Sequence, residues 1–178
     1  QLICEGLVAE NIYCDVLGVN SISRSVVEET KFGLVYRESL LFKAFSTLFS
    51  ISLIYRLFQI NKTYDLIHIH HPDPMSAFAL WIVKPECKVV LHWHSDILRQ
   101  KFLLKFFMPL QNWLLNRANK IIATTSNYAA ESIHLNPYKN KLEIIPIGID
   151  SSKLKIDHQR VQEILSQYKG QKLIFASR

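Results

Sequence analysis

Residues 65–74 read DLIHIHHPDP, and this stretch decides the fold because the end of a strand lies directly before the start of a helix. Its first part is a short run rich in β-branched and apolar residues, as buried strands of a parallel sheet require. Asp73 followed by Pro74 is then typical of a helix N-cap and first turn. The stretch therefore predicts a strand over 65–70 and a helix over 73–84.

The same alternation of strand and helix continues along the chain in both directions. Predicted strands lie at 12–19, 65–70, 88–94, 120–126, 142–147 and 172–177, and predicted helices at 37–60, 73–84, 101–118, 127–134 and 157–169. Pro109 should bend or restart the third of these helices. Such alternation implies right-handed βαβ units. We therefore predict an α/β fold with a Rossmann-like, doubly wound, mostly parallel sheet.

The composition narrows the class of protein. The 178 residues carry a net charge of +6, and 49% of them are hydrophobic, which is typical of a soluble globular protein. The positive charge favours anionic partners such as nucleotide diphosphates. The 21 Lys and Arg residues form no recognisable nucleic-acid-binding module, so we expect no nucleic acid partner.

The cysteines and the hydropathy of the chain indicate its cellular compartment. Three cysteines without a CxxC pair favour neither a disulfide framework nor a structural zinc site, and they indicate a reducing cytoplasm. The longest uncharged stretch of the most membrane-like segment, residues 44–55, is shorter than the roughly 20 residues that a membrane span needs. We therefore expect a soluble chain, and we expect no signal peptide because the opening lacks a basic segment and a cleavage site.

Five of the seven histidines fall at the ends of two predicted strands. They are His68, His70 and His71 on the first strand, and His92 and His94 on the second. Because ligands of open α/β sheets bind outside the carboxyl ends of the strands, this edge is the predicted binding rim. The two deeper histidines, His68 and His92, are predicted to be hydrogen-bonded core residues.

The other rim residues are predicted to lie at the exposed lip, where polar side chains bind ligands. They are His70, His71, His94 and Asp96. An imidazole at position 94 can donate to a ligand hydroxyl and titrates near neutral pH.

A metal site is the competing interpretation of the second strand. His92, His94 and Asp96 are similar to the HxHxDH motif of metallo-β-lactamase-like hydrolases, but Ile97 stands where that motif has its final histidine. Alternation along a strand also places His92 and His94 on one face with or without a metal. A metal-dependent hydrolase therefore stays open as an alternative, although we expect no metal.

Several motifs follow one another in a fixed order. They read YDLIHIHHP over 64–72, HSDILRQK over 94–101, IIATTSNY over 121–128 and IPIGID over 145–150, before a last strand that ends in Arg178. Together they resemble glycosyltransferase family 4, in particular its bacterial surface-polysaccharide, mannosyltransferase-like members. The resemblance covers residues 65–178.

The resemblance implies a GT-B fold, in which two Rossmann-like domains face each other. The first domain binds mainly the acceptor and the second binds the nucleotide sugar. The implied reaction is retaining transfer of a hexose, with mannose as the candidate, from a nucleotide-diphosphate sugar to a saccharide or lipid-linked acceptor in surface polysaccharide or lipopolysaccharide synthesis. It needs no protein nucleophile, and we expect no metal or other cofactor.

The resemblance also implies roles for individual residues. His94 matches the histidine that points at the transferred sugar, and it is the catalytic candidate. Arg178 matches the arginine that holds the donor diphosphate, for which a planar guanidinium is suited. The candidates for substrate binding are His70, His71, Ser95, Asp96, Arg99 and Gly148.

The chain departs from the family pattern in several places. Ile147 replaces a common asparagine, and Ser177 replaces the usual glycine before Arg178. We expect residues 1–169 to form the acceptor-side domain without its first strand and glycine-rich loop, and residues 170–178 to begin the donor-binding domain. Because the E-x(7)-E element of that domain is absent, we expect the chain alone not to turn over. A non-catalytic α/β module that binds a sugar or a nucleotide is the remaining alternative.

A basic and aromatic set of residues is the candidate for peripheral contact with the inner face of the cell membrane, where a lipid-linked acceptor would lie. Its members are Lys43, Arg56, Lys101, Phe102, Lys105, Phe106, Phe107 and Trp113. The alternative is that these residues belong to ordinary helices that cover a sheet, with lysines along their solvated edge.

Overall fold

The computed structural model of the chain describes residues 2–96, 101–148, 157–168 and 170. The chain divides into two compact units, Gln1–Pro146 and Ile147–Arg178. The predicted domain boundary at residue 170 stays a prediction, and the predicted strand over 172–177 lies outside the described residues.

Helices and strands alternate over most of the first unit. In chain order the elements are α1 Leu2–Ala9, β1 Val16–Val19, β2 Val26–Thr30, β3 Gly33–Glu38, β4 Phe42–Ala44, β5 Thr47–Phe49, α2 Ile51–Ile60, β6 Leu66–His71, α3 Pro74–Val83, β7 Lys88–Trp93, α4 Lys101–Arg117, β8 Lys120–Ala123, α5 Ser126–Glu131, β9 Leu142–Ile144 and α6 His158–Gln167. The last helix belongs to the second unit, and its N-cap is Asp157, whose side chain accepts from the backbone N–H of Arg160.

A four-stranded parallel sheet with the order β6-β7-β8-β9 forms the centre of the first unit. This sheet confirms the predicted α/β, Rossmann-like fold. Its register places Ile69 beside Leu91 and His71 beside Trp93. Because side chains alternate along a strand, these residues share one face. That face is buried: Leu91 and Trp93 are fully inaccessible and pack in one cluster with residues of α4.

The opposite face of this sheet is only partly covered. It carries His68 and His70 from β6 and Val90 and His92 from β7, of which His68 and Val90 are half-buried and His70 is exposed. The apolar runs in the sequence had suggested a sheet covered on both faces. His68, His70 and His92 therefore lie on the less covered face, whereas Ile69, Leu91 and Trp93 lie on the buried one.

Helix α3 begins where the sequence predicts. The Asp73 carboxylate accepts from the backbone N–H groups of Met75 at 3.0 Å and Ser76 at 3.3 Å, and Pro74 occupies the first turn. The cap therefore satisfies N–H groups that have no partner within the helix. Helix α4 runs through Pro109 as one element, so the predicted restart there is not found.

The prediction of one helix over 37–60 is wrong in its first half. Only Ile51–Ile60 is helical, and the preceding residues complete β3 and form the hairpin of β4 and β5. Phe45 and Ser46 adopt positive φ angles of 49° and 66° in the two-residue turn. Ser50 is the N-cap of α2 and accepts from the N–H of Leu53. Ser46 and Ser50, which the sequence placed inside the predicted helix, are therefore a turn residue and a cap residue.

A second hairpin, β2–β3, lies mostly within residues 20–36, for which the sequence predicted no element. It pairs antiparallel, and β3 also pairs parallel with β1, which gives a separate three-stranded sheet with the order β1-β3-β2. Gly33 ends the turn with φ 143°, and a Cβ there would lie 2.4 Å from an Asp15 carboxylate oxygen. Only glycine fits this position.

A small apolar cluster lies beside this sheet. It contains Cys4, Phe32 and Val35, with Cys14 packed against it. The sulfur atoms of Cys4 and Cys14 lie 3.1 Å apart as free thiols, and Cys87 is also free. Although these two cysteines are ten positions apart in sequence, the fold places them in contact.

Glu38 is the charged residue that is most deeply buried in this part of the fold. It is 2% exposed, and its carboxylate accepts from Arg56 Nε at 2.8 Å and from Ser25 Oγ at 2.8 Å. Burial alone would raise the pKa of Glu38, but the hydrogen bonds from Arg56, Ser25 and Ser52 outweigh it and hold that pKa below its ordinary value. Arg56 also lies over the Tyr36 ring, so it is not free for the predicted membrane face.

Replacing Arg56 with methionine should destabilise the fold, because the buried Glu38 carboxylate would lose its charged partner. Breaking a fully buried pair typically costs about 3–5 kcal/mol. Because Arg56 is 30% exposed, we expect a smaller loss, of about 1–3 kcal/mol. Urea unfolding at pH 7, followed by tryptophan fluorescence, measures this change.

Arg37→Met is the matched control, because the side chains of the Arg37–Glu28 pair are 52% and 47% exposed. Its loss should lower the free energy of unfolding by no more than about 0.5 kcal/mol. Since the folded-state pKa of Glu38 is lowered, its contribution is present above the ordinary carboxyl pKa and is lost as the pH falls. The difference between Arg56→Met and the parent should therefore shrink in acid. Equal stabilities of the two at pH 7 would contradict this account.

Candidate functional site

Strands β6 and β7 end side by side, and their last residues form the candidate site. The backbone N–H of His94 donates to the carbonyl of His71 at 3.0 Å, which continues the pairing beyond the strands. The His70 Nδ1 and His94 Nε2 atoms lie 2.8 Å apart and share a hydrogen bond. The structure therefore brings together the predicted catalytic residue and one predicted substrate-binding residue.

Four imidazoles stack on the same face of the sheet. Ring centroids are separated by 4.9 Å between His68 and His70, by 5.2 Å between His70 and His92, and by 4.2 Å between His92 and His94. The cluster follows from the register, which sets His70 directly beside His92. Alternation then places His68 and His94 on that same face.

Burial disfavours the charged form of three of these imidazoles, so the pKa of His68, of His70 and of His92 is lowered. Burial, followed by the neighbouring His94, lowers the pKa of His92 to about 4. Burial and the same neighbours also lower the pKa of His68 and of His70. The His70–His94 hydrogen bond requires a donor nitrogen on one ring and an acceptor nitrogen on the other.

The prediction that His71 lies at the exposed lip is wrong, because His71 lies in the core. It is 1% exposed, and its ring stacks on Trp93 with centroids 3.9 Å apart. Burial lowers its pKa to about 3. The reason is alternation: His71 follows His70 and therefore points to the dry face of the sheet.

His68 and His92 are buried or half-buried as predicted, but they lack the predicted hydrogen bonds. Among the described residues, His68 Nε2 and both ring nitrogens of His92 are buried without a hydrogen-bond partner. Leaving such groups unsatisfied is costly in a folded protein. These nitrogens are therefore available to a bound group.

Asp96 is held by three side chains. Its Oδ1 accepts from Trp93 Nε1 at 2.9 Å, from the Tyr128 hydroxyl at 2.6 Å and from Ser132 Oγ at 3.1 Å. Burial, and then the hydrogen bond to Asp96, raise the pKa of Tyr128. The carboxylate thus fixes the loop after β7 to helix α5, and a direct contact between Asp96 and substrate stays a prediction.

The other predicted site residues are placed as follows. Ser95 is half-buried beside Asp96, and Gly148 lies in the second unit with an exposed backbone whose φ is not positive. Arg99 and Arg178 lie outside the described residues. Their roles stay predictions.

The hydrolase-like set His92, His94 and Asp96 does not form a metal-ligand group. The metal-ligand group found among the described residues is His68, His70 and His92. The Asp96 carboxylate is instead bonded to Trp93, which lies on the buried face of the sheet.

Only part of the predicted membrane face is found. Lys105 and Phe106 are exposed on α4, whereas Phe107 and Trp113 pack against the core. The side chains of residues 101–104 lie outside the description, and contact with a membrane stays a prediction. Within the described part of the chain, no helix has the length and hydropathy needed to cross a bilayer.

Sequence reasoning missed Tyr128 and Ser132 as partners of Asp96. Their spacing of four residues places them on one side of a helical turn, and Ser132 is the C-cap of α5. That spacing was a usable signal, but it does not identify Asp96 as the partner. It also missed the close approach of His68 to His92, which depends on strand register.

Comparison with known proteins gives concordant matches. Residues 2–153 match the family described as Glycosyltransferase Family 4. The chain is 36% identical to the O-antigen chain mannosyltransferase C of Escherichia coli over 128 residues. This aligned stretch covers 72% of this chain and 34% of that protein. It is 29% identical to the D-rhamnosyltransferase WbpZ of Pseudomonas aeruginosa over 148 residues. This aligned stretch covers 83% of this chain and 39% of that protein. The chain thus spans about a third of the length of these relatives.

Replacing Tyr128 with phenylalanine should destabilise the first unit, because the Asp96 carboxylate would lose its shortest hydrogen bond. Hydrogen bonds to charged groups contribute about 1.5–3 kcal/mol, and we expect a loss in that range from urea unfolding. Tyr55→Phe is the matched control, since Tyr55 is 62% exposed. Equal stability of the Tyr128→Phe and Tyr55→Phe variants would show that Asp96 is not held in this way.

Proposed function

Because the chain belongs to glycosyltransferase family 4, we propose that it forms the acceptor-side part of an enzyme that transfers a hexose in bacterial surface polysaccharide synthesis. The donor is a nucleotide-diphosphate sugar, with mannose as the first candidate sugar. The acceptor is a saccharide or a lipid-linked saccharide. The names of the two relatives, a mannosyltransferase and a rhamnosyltransferase, support a hexose or a deoxyhexose as the transferred group.

The observation that carries this proposal is the hydrogen-bonded pair of His70 and His94 at the carboxyl edge of the parallel sheet. Ligands bind at this edge in open α/β sheets. His70 holds the His94 ring in one orientation, and an imidazole so oriented can exchange a hydrogen bond with a sugar hydroxyl. The pair therefore positions the sugar.

The proposed chemistry depends on positioning and on stabilisation of the departing diphosphate. We propose that transfer retains the anomeric configuration and proceeds by front-face displacement, which requires neither a protein nucleophile nor a metal. In this proposal His94 contacts the transferred sugar, while Asp96 holds the loop that carries it. The three free thiols support a reducing compartment, so we place the reaction in the cytoplasm.

The donor site is proposed to lie mainly in a part of the enzyme that these 178 residues do not include, since the aligned stretches cover 34% and 39% of the two relatives. We therefore propose that residues 1–178 alone do not turn over. A non-catalytic binding module is the second candidate, and it differs in that the complete protein would bind a saccharide without transferring it.

In the complete protein, His94→Ala should lower kcat/KM for sugar transfer by about 10- to 100-fold, the loss expected for one hydrogen bond of about 1.5–3 kcal/mol in the transition state. Transfer from nucleotide-diphosphate mannose and rhamnose donors to a lipid-linked saccharide measures this, and NMR of the product gives the anomeric configuration. His158→Ala is the control, because that exposed histidine lies in helix α6.

Unchanged kcat/KM in His94→Ala would contradict the assigned role of this residue. Saccharide binding by the complete protein with no transfer from any donor would favour the non-catalytic module. An inverted product would remove the retaining mechanism but would leave the transferase proposal in place.

A further inference from the structure

We propose that His68, His70 and His92 form a binding site for one divalent transition-metal ion of the zinc class, with His70 shared between this site and the His70–His94 pair. The ligand nitrogens of the three residues all lie within 4.8 Å of one another. Neutral imidazole is a preferred ligand of zinc, copper and nickel ions. The donors that the described residues supply in this cluster are imidazole nitrogens, so hard cations such as Mg²⁺ should not compete well.

The first support is the rigid placement of two of the ligands. His70 and His92 are directly paired neighbours in the parallel ladder, and His68 is two residues before His70 on the same strand. All three rings therefore project from one face of two hydrogen-bonded strands. The backbone, and not a mobile loop, sets the spacing of the ligands, as a pre-organised metal site requires.

The second support is the unsatisfied nitrogens. Among the described residues, His68 Nε2 and both His92 ring nitrogens are buried without a hydrogen-bond partner. A buried polar atom without a partner costs about 1–3 kcal/mol. A metal ion bound by one nitrogen of each ring would satisfy two of these atoms, for which the described protein offers no other partner.

The geometry requires only a small adjustment. Imidazole nitrogens lie about 2.0–2.1 Å from zinc, so nitrogens of a tetrahedral site lie about 3.4 Å apart. The present separation of up to 4.8 Å must therefore contract, by roughly 1.4 Å. His70 can supply this movement, because its side chain is exposed, whereas His92 is only 8% exposed. Three protein ligands leave one coordination position for water or another group.

The test is a titration of the metal-free 178-residue chain with Zn²⁺ by calorimetry, with Co²⁺ absorption as a report of tetrahedral coordination. We expect one ion per chain. Loss of a hydrogen-bond partner outside the coordination shell already lowers metal affinity by about 10- to 100-fold, so His68→Gln and His70→Gln should each lower it by at least roughly 10-fold. Circular dichroism confirms that each variant is folded, and the exposed position of His70 makes His70→Gln the safer of the two.

Two controls separate this site from other ligands of the chain. His158→Gln removes an exposed histidine of helix α6, and Cys14→Ser removes one of the two thiols whose sulfurs lie 3.1 Å apart. Both should leave the affinity unchanged. The proposal is overturned if no saturable binding occurs, if neither His68→Gln nor His70→Gln weakens it, or if Cys14→Ser abolishes it. Because the readout is binding, it is independent of whether the complete protein transfers sugar.

Discussion

The register between β6 and β7 is the constraint on which the site depends. Parallel pairing sets His70 beside His92 and His71 beside Trp93, so the two faces of the sheet receive different sets of residues. A slip by one residue would exchange the faces, burying the histidine cluster and exposing Trp93. The energy of burying the apolar face therefore fixes the position of the imidazoles, although none of them is needed for that burial.

The buried polar groups of the first unit fall into two classes. Glu38 and Asp96 are carboxylates whose acceptor atoms are filled, by Arg56 and Ser25 in one case and by Trp93, Tyr128 and Ser132 in the other. They join separate elements to one another. The imidazoles of His68 and His92 instead retain nitrogens without partners among the described residues. Both ring nitrogens of the core residue His71 also lack partners, so a missing partner points to a binding site only together with the clustering of His68, His70 and His92.

The strands of the parallel sheet and the helices α3 to α5 could be predicted from sequence because local signals agree there. Apolar β-branched runs precede a cap such as Asp73, and both point to the same boundary. The segment before α2 misled the prediction because Ser39, Ser46 and Ser50 have the spacing of a helix face. Ser46 lies in a turn, Ser50 caps α2 and Ser39 bonds to Ser52, and spacing alone reveals none of this.

The sequence predicts that the site lies at the carboxyl edge of the parallel sheet, but it does not predict the side-chain contacts within the site. The sequence places His70 and His94 at strand ends, and parallel topology then brings the ends together. It cannot tell that His71 enters the core, because that depends on which face α4 covers. Nor can it find the Tyr128 and Ser132 contacts to Asp96, which join positions more than 30 residues apart.

The central claim is that the imidazole edge of this sheet contacts the transferred sugar. A crystal structure of the complete protein with a non-transferable nucleotide-mannose analogue tests it most directly. The account predicts a His94 ring nitrogen within hydrogen-bond distance of a hydroxyl of the sugar, about 2.7–3.2 Å, with the His70–His94 bond intact. A sugar bound away from the ends of β6 and β7, with His94 making no contact to it, would contradict the account.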